Sequence, residues 1–148
     1  MNTNPLVLLA DDDEDDCLFF KEIIDDLPFI STLSAVNSGS DLMRLLYQTA
    51  DNLPDILFLD LNMPGKTGFD CLVEIKGNNR LKHLPVVIFS TSMDPVVADS
   101  LYRHGAHYYL RKPGEFSKLK ELIHRAILLL LNEDRSQPPR QDFFIKIA

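Results

Sequence analysis

Apolar residues gather in short unbroken runs along this chain: Leu6–Ala10 (LVLLA), Ile56–Leu59 (ILFL) and residues 86–89 (VVIF). None of them alternates with polar residues. A strand that reads this way is buried on both faces, as in a parallel sheet with helices on each side. Residues 30–36 are polar enough for an edge strand, and 107–111 read as a last strand. Helical spacing fills the gaps. Leu18, Phe19, Glu22, Ile23 and Asp26 predict a first helix, Leu42, Leu45 and Leu46 a second, and Phe69, Leu72, Val73 and Lys76 a third. Residues 94–105 predict a fourth, with Asp94 as N-cap, Pro95 at the first helical position and Gly105 just past the end. A fifth is expected over 115–132.

Five β-α repeats in one short chain imply a single open α/β sheet. Beyond residue 132 lies a tail with a Pro138-Pro139 pair and then Phe143, Phe144, Ile145 and Ile147. The last helix has an ordinary core stripe (Phe116, Leu119, Leu122, Ile123, Ala126, Ile127, Leu130), but Leu128, Leu129 and Leu131 make its end apolar all round. Such a surface wants cover. The expected cover is Phe143 and Phe144 of the tail, or a second subunit in a homodimer through the last helix or tail.

Charge narrows the function. The formal net charge is −7 and the pI about 4.9. A nucleic-acid partner is therefore not expected, because such binding draws on Lys and Arg neutralising phosphates. Up to Pro28, nine carboxylates face a single lysine, Lys21. Such crowding is costly unless a cation or basic group offsets it. Cys17 and Cys71 belong to no metal or redox pattern and read as reduced thiols. The N-terminus does not read as a signal peptide, and the longest apolar run, 126–131, is too short to cross a bilayer. The expectation is a soluble cytoplasmic protein with no membrane partner.

In an open parallel sheet the ligand site lies beyond the C-terminal strand ends, where the chain order reverses. Those ends carry Asp11-Asp12-Asp13, then Asp60 followed by Leu61, Asn62, Met63, Pro64 and Gly65, then Ser90-Thr91-Ser92, then Lys112-Pro113. Carboxylates brought this close repel one another, and a divalent cation removes the penalty. All-oxygen ligands suit Mg²⁺ or Mn²⁺. A carboxylate beside such an ion can attack a phosphoryl group and form an acyl phosphate, with the lysine neutralising charge on its oxygens.

These residues carry a resemblance. VLLADDD at 7–13, PDILFLDLNMPGKTGFD at 54–70, PVVIFSTS at 85–92 and GAHYYLRKP at 105–113 together resemble the receiver domain of the two-component response regulators. The resemblance implies a flavodoxin-like, doubly wound five-stranded parallel sheet in the order 2-1-3-4-5, with helices on both faces. It divides the chain into a receiver domain, 1–132, and a C-terminal tail, 133–148, with no output domain. It makes Asp60 the phosphoacceptor and Asp11 and Asp12 the acidic pair, Asp12 binding Mg²⁺ directly and Asp11 mainly through water. The backbone carbonyl of Asn62 is implied as a further metal ligand. Ser90 and Tyr109 become the switch residues, Ser90 moving toward the phosphoryl group and Tyr109 turning inward once Asp60 carries it, and Lys112 the phosphate-facing lysine, joined to Pro113 by a cis bond. The implied function is a signalling switch, not a metabolic enzyme. It takes a phosphoryl group from a histidine kinase or phosphotransfer protein and passes the signal to an unidentified downstream protein. Thr91 departs from the small residue usual after the switch hydroxyl.

Other readings stand beside this one. Asp11 to Asp16 could be an acidic helix start, and capping and solvation account best for Asp13, Glu14, Asp15 and Asp16. Asp60 could be a turn residue, Lys112 a surface lysine, Ser90 a strand-end hydroxyl and Tyr109 plain packing. A phosphatase of the haloacid dehalogenase type would need a second acid where Asn62 stands. A flavin or nucleotide carrier would need a phosphate-cradling loop where the acidic run lies. A degenerate receiver would serve only for docking.

Overall fold

The computed structural model of the protein describes residues 4–28, 32–49, 51–132 and 135–147. Five strands, β1 (Leu6–Ala10), β2 (Thr32–Val36), β3 (Ile56–Leu59), β4 (Val86–Ser90) and β5 (Tyr108–Arg111), alternate with five helices. These are α1 (Glu14–Asp25), α2 (Gly39–Gln48), α3 (Gly68–Lys76), α4 (Pro95–Arg103) and α5 (Phe116–Asn132). The strands form one parallel sheet in the order β2-β1-β3-β4-β5. This is the flavodoxin-like arrangement that the motifs implied. The part of the expected second strand at residues 30 and 31 lies outside the described residues.

The unbroken apolar runs are explained by where their side chains go. Leu8 and Ala10, Leu57 and Leu59, Val86 and Ile88 all join the core under α2, α3 and α4. Their neighbours Val7 and Leu9, Ile56 and Phe58, Val87 and Phe89 join the core under α1 and α5. Period-two alternation is present, but both faces are apolar because both are covered. On the α1/α5 side Phe20, Phe58 and Phe89 meet edge to face with centroids 4.8–6.2 Å apart. Each such pair adds about 0.5–1.5 kcal/mol beyond area burial.

Capping follows the sequence. Asp13 caps α1 through the amides of Asp15 and Asp16, and Asp94 caps α4 with Pro95 in its first turn. Thr67 and Asp70 form a reciprocal capping box at α3.

The two sheet edges differ. β2 is largely exposed, as its polarity predicted. The β5 edge is covered by the tail, where a 3-10 turn, Arg140–Asp142, leads into a bridge between Tyr109 and Phe144. The Tyr109 amide donates to the Phe143 carbonyl (2.9 Å) and the Ile145 amide to the Tyr109 carbonyl (3.0 Å). The tail thus supplies cover for the molecule's own edge, but not as the helix pattern suggested. Phe143 enters the core on the α4 side, and Ile145 joins the α5 side. Phe143 has helical dihedrals (φ −64°, ψ −41°), so strict strand alternation does not apply to it. Leu128, Leu129 and Leu131 end up half-buried.

No helix among the described residues is long and apolar enough to cross a membrane.

Candidate functional site

Strand register brings the chemistry together. Ala10 pairs with Leu59, and the next amide along, that of Asp60, donates to the Ala10 carbonyl at 2.9 Å. Asp11 and Asp60 therefore emerge side by side from β1 and β3. Ser90 pairs with Arg111, and the Lys112 amide donates to the Ser90 carbonyl at 2.8 Å, which sets the lysine at the same end of the sheet. β1 lies between β2 and β3, so the chain order reverses here and opens the crevice above these ends.

The loop after Asp60 is shaped by two glycines. Gly65 has φ +75°, the left-handed conformation needed to turn the chain after Pro64. Gly68 starts α3 with its backbone against Asp60, where a Cβ would lie 2.2 Å from the Asp60 carbonyl oxygen. The Asn62 backbone amide donates to Asp60 Oδ1 at 3.3 Å, and the Asn62 side chain is exposed.

Asp11 and Asp60 are 1% and 5% exposed, whereas Asp12 faces solvent. One carboxylate oxygen from each of Asp11, Asp12 and Asp60 lies within 4.8 Å of the others. Lys112 Nζ donates to Asp11 Oδ2 at 2.9 Å and to Asp16 Oδ2 at 2.7 Å, and stands 4.0 Å from Asp60 Oδ1. It also sits 4.5 Å above the Phe89 ring, tying the site to the aromatic trio below.

Burial pushes the Asp11 carboxyl up to about 7, against the pull of the Asp13 amide and of Lys112. The Asp60 carboxyl is raised for the same reason, with Lys112 and the Asn62 amide opposing. Burial works against the Lys112 ammonium too, but the bonds to Asp16 and Asp11 outweigh it and hold the lysine charged. One ammonium is thus shared among more carboxylates than it can neutralise. Three converging all-oxygen donors, two of them desolvated, fit a hard divalent cation.

The fold brings Asp11, Asp12, Asp60 and Lys112 together. Ser90 is fully buried at the same edge, and its Oγ lies 3.1 Å from Ser92 Oγ and accepts from the Ser92 amide at 3.3 Å. Tyr109 is buried, and its hydroxyl donates to the Ser92 carbonyl. Thr91 is exposed.

Two expectations need correction. Asp16, read as capping and solvation, is the nearest partner of Lys112; the first turn of α1 carries it back over the sheet edge. The linear sequence holds no sign of this, because its partner lies far along the chain. The Lys112–Pro113 bond is trans, like every peptide bond among the described residues. An X-Pro bond prefers trans by about 0.5–1 kcal/mol unless its surroundings impose the other isomer.

Comparison with known proteins agrees with this geometry. Residues 7–124 match the model of the response regulator receiver domain. The chemotaxis protein CheY of Pseudomonas aeruginosa is 32% identical over 119 residues, covering 80% of this chain and 93% of its own length. Among solved structures, the phosphorylated cyanobacterial phytochrome response regulator RcpA matches with a TM-score of 0.80 at 27% identity, over 86% of this chain and 94% of that one. The Mn²⁺-bound form of response regulator Rcp1 matches with a TM-score of 0.79 at 27% identity, over 91% of this chain and 99% of that one. With the sheet order, the acidic cluster and the family match in agreement, the chain belongs to the response regulator receiver domains of two-component signalling.

Proposed function

We propose that this receiver is a phospho-accepting switch in which Asp60 takes a phosphoryl group from the phosphohistidine of a histidine kinase or phosphotransfer protein. The observation that carries the reading is the convergence of Asp11, Asp12, Asp60 and Lys112 at the C-terminal ends of β1, β3 and β5. Mg²⁺ or Mn²⁺ would be held by Asp11, Asp12 and Asp60 with the Asn62 backbone carbonyl, and when bound would offset charge on the phosphoryl oxygens. The Mn²⁺-bound Rcp1 structure supports a divalent ion in this type of fold.

The chain's own groups do the rest. A carboxylate oxygen of Asp60 attacks phosphorus, the P–N bond to the donor histidine breaks, and its electron pair leaves with the imidazole. The product is an acyl phosphate on Asp60. Lys112 Nζ, 4.0 Å from Asp60 Oδ1, needs only a small displacement to pair with an added oxygen. The Ser90 hydroxyl, held by Ser92, turns to donate to another. These contacts shift the balance between two packings of α4, β5 and α5 together with the tail that covers the β5 edge, and a downstream protein reads the difference. We place this switch in the cytoplasm, where Cys17 and Cys71, both free thiols, stay reduced.

The test is intact mass after incubation with a small phosphoryl donor, with and without Mg²⁺, on the wild type and on Asp60→Asn. A Mg²⁺-dependent gain of one phosphoryl group that the variant lacks is expected. Equal gain in the variant would move the acceptor elsewhere, and no gain in either would leave a docking module.

A further inference from the structure

From Arg135 to Ile145 the tail is fastened to α4, β5 and the turn between them. His107 Nε2 donates to the Arg135 carbonyl at 2.9 Å, and Gln137 Nε2 donates to the Tyr102 and Ala106 carbonyls at 2.6 and 2.8 Å. The Tyr102 hydroxyl donates to the Pro138 carbonyl at 2.7 Å. The Arg140 guanidinium lies 5.4–5.8 Å from the ring centres of Tyr102, Phe143 and Phe144, and its Nε is 3.5 Å from Asp99 of α4.

All of this converges on Tyr109. Both of its outward-facing backbone groups are taken by the tail, through Phe143 and Ile145. Its ring has Phe143 on one side, centroids 6.1 Å apart, and Phe144 on another at 5.3 Å. Phe143 is fully buried and also meets Tyr102 edge to face at 5.3 Å. At its other end the Tyr109 hydroxyl holds the Ser92 carbonyl, and Ser92 holds Ser90. A continuous run of contacts therefore joins Phe143, Tyr109, Ser92 and Ser90. If Tyr109 swung outward it would vacate a packed position beside Phe143 and give up the Ser92 bond, so a docked tail favours Tyr109 inside.

We propose that segment 135–147, through Phe143, is a positioning element of the switch whose docking and the phosphorylation of Asp60 reinforce each other. The proposal rests on Asp60 being the acceptor and on the inward Tyr109 belonging to the phosphorylated packing. A coupling of this kind is reciprocal: if phosphorylation tightens the tail by some factor, the docked tail tightens phosphoryl binding by the same factor. Phe143 touches no reacting atom and acts through Tyr109.

The experiment uses the full chain with Mg²⁺ and beryllofluoride as a stand-in for the phosphoryl group. Amide exchange is read by NMR at Tyr109 and Ile145, the two amides that pair β5 with the tail. Slowing at Ile145 by about fivefold or more on beryllofluoride binding is the expected result. In Ile145→Pro, which lacks the donor to the Tyr109 carbonyl, beryllofluoride binding should weaken, by no more than that same factor. Arg140→Gln is a milder variant should the first disturb the core, and the wild-type exchange decides the matter on its own if neither folds. Unchanged or faster exchange at Ile145, with Asn62 and Ser90 amides reporting a filled site, would overturn the coupling and leave Asp60 as acceptor. No response at Asn62 or Ser90 would overturn both.

Discussion

His107 links β5, β4 and the tail in one buried imidazole. It is 5% exposed, its Nδ1 accepts from the Val86 amide at 3.3 Å, and its Nε2 donates to the Arg135 carbonyl. Burial, with Lys76 and Arg135 as nearby cations, pushes its pKa down from 6.5 to about 4. The unfolded chain thus binds a proton more readily than the folded one. The stability tied to neutral His107 is complete above the unfolded value and is lost as pH falls toward 4. A shift of that size corresponds to about 3 kcal/mol across the window. That is a sizeable part of a domain's typical 5–15 kcal/mol.

The perturbation is His107→Asn, whose amide oxygen can still accept from Val86 but which does not titrate. Urea unfolding at pH 7, 5.5 and 4 on both proteins is the assay. At pH 7 the variant should be about 1 kcal/mol less stable, for the lost bond to Arg135. The gap should close and then invert as pH falls, because only the wild type must give up the buried neutral ring. Parallel curves over the whole range would show that His107 contributes nothing to the acid sensitivity, which carboxylates common to both proteins would then carry.

Two further perturbations test the site. Lys112→Met removes the ammonium that Asp11 and Asp16 share, so Mg²⁺ binding measured by calorimetry should tighten by roughly one to two orders of magnitude while phosphoryl uptake falls; unchanged Mg²⁺ affinity would mean that the lysine does not offset the carboxylates. Gly68→Ala places a Cβ 2.2 Å from the Asp60 carbonyl oxygen; it should cost about 1–3 kcal/mol in chemical unfolding and slow phosphoryl uptake by moving the loop, and a variant as stable as the wild type would show that the loop gives way freely.

The sheet was legible because a strand covered on both sides leaves an unbroken apolar run, and LVLLA, ILFL and VVIF are of that kind. Asp11, Asp60 and Lys112 could be placed at one edge for a related reason: each follows directly on a strand, and parallel register lines up strand ends. What the sequence hid depends on contacts between distant segments. Asp16 looks like any helix-start acid until the fold brings Lys112, just past β5, to the first turn of α1. Phe143 and Phe144 announced that they needed burial, but not which side of the sheet they would take, since a helical dihedral at Phe143 breaks the alternation. Nothing in the sequence marks His107 as the donor that fastens Arg135.

β5 makes neighbours of the acid site and the tail, which are far apart in sequence. Lys112 and Tyr109 are three residues apart on one short strand and its exit. The strand is held to β4 through the Lys112 amide on Ser90 and the His107 amide on Val86, so it moves as a unit with the sheet. A displacement of Lys112 toward Asp60 has little slack to absorb it before Tyr109. From Tyr109 the load divides, through the hydroxyl to the Ser92 loop and through the backbone to Phe143 and Ile145. Every connection on the second branch is a main-chain hydrogen bond or a buried ring contact, neither of which stretches without breaking. If Asp60 takes up a phosphoryl group as proposed, the strain at that end of β5 has two outlets: break the tail's pairing or reinforce it. The inward Tyr109 favours reinforcement.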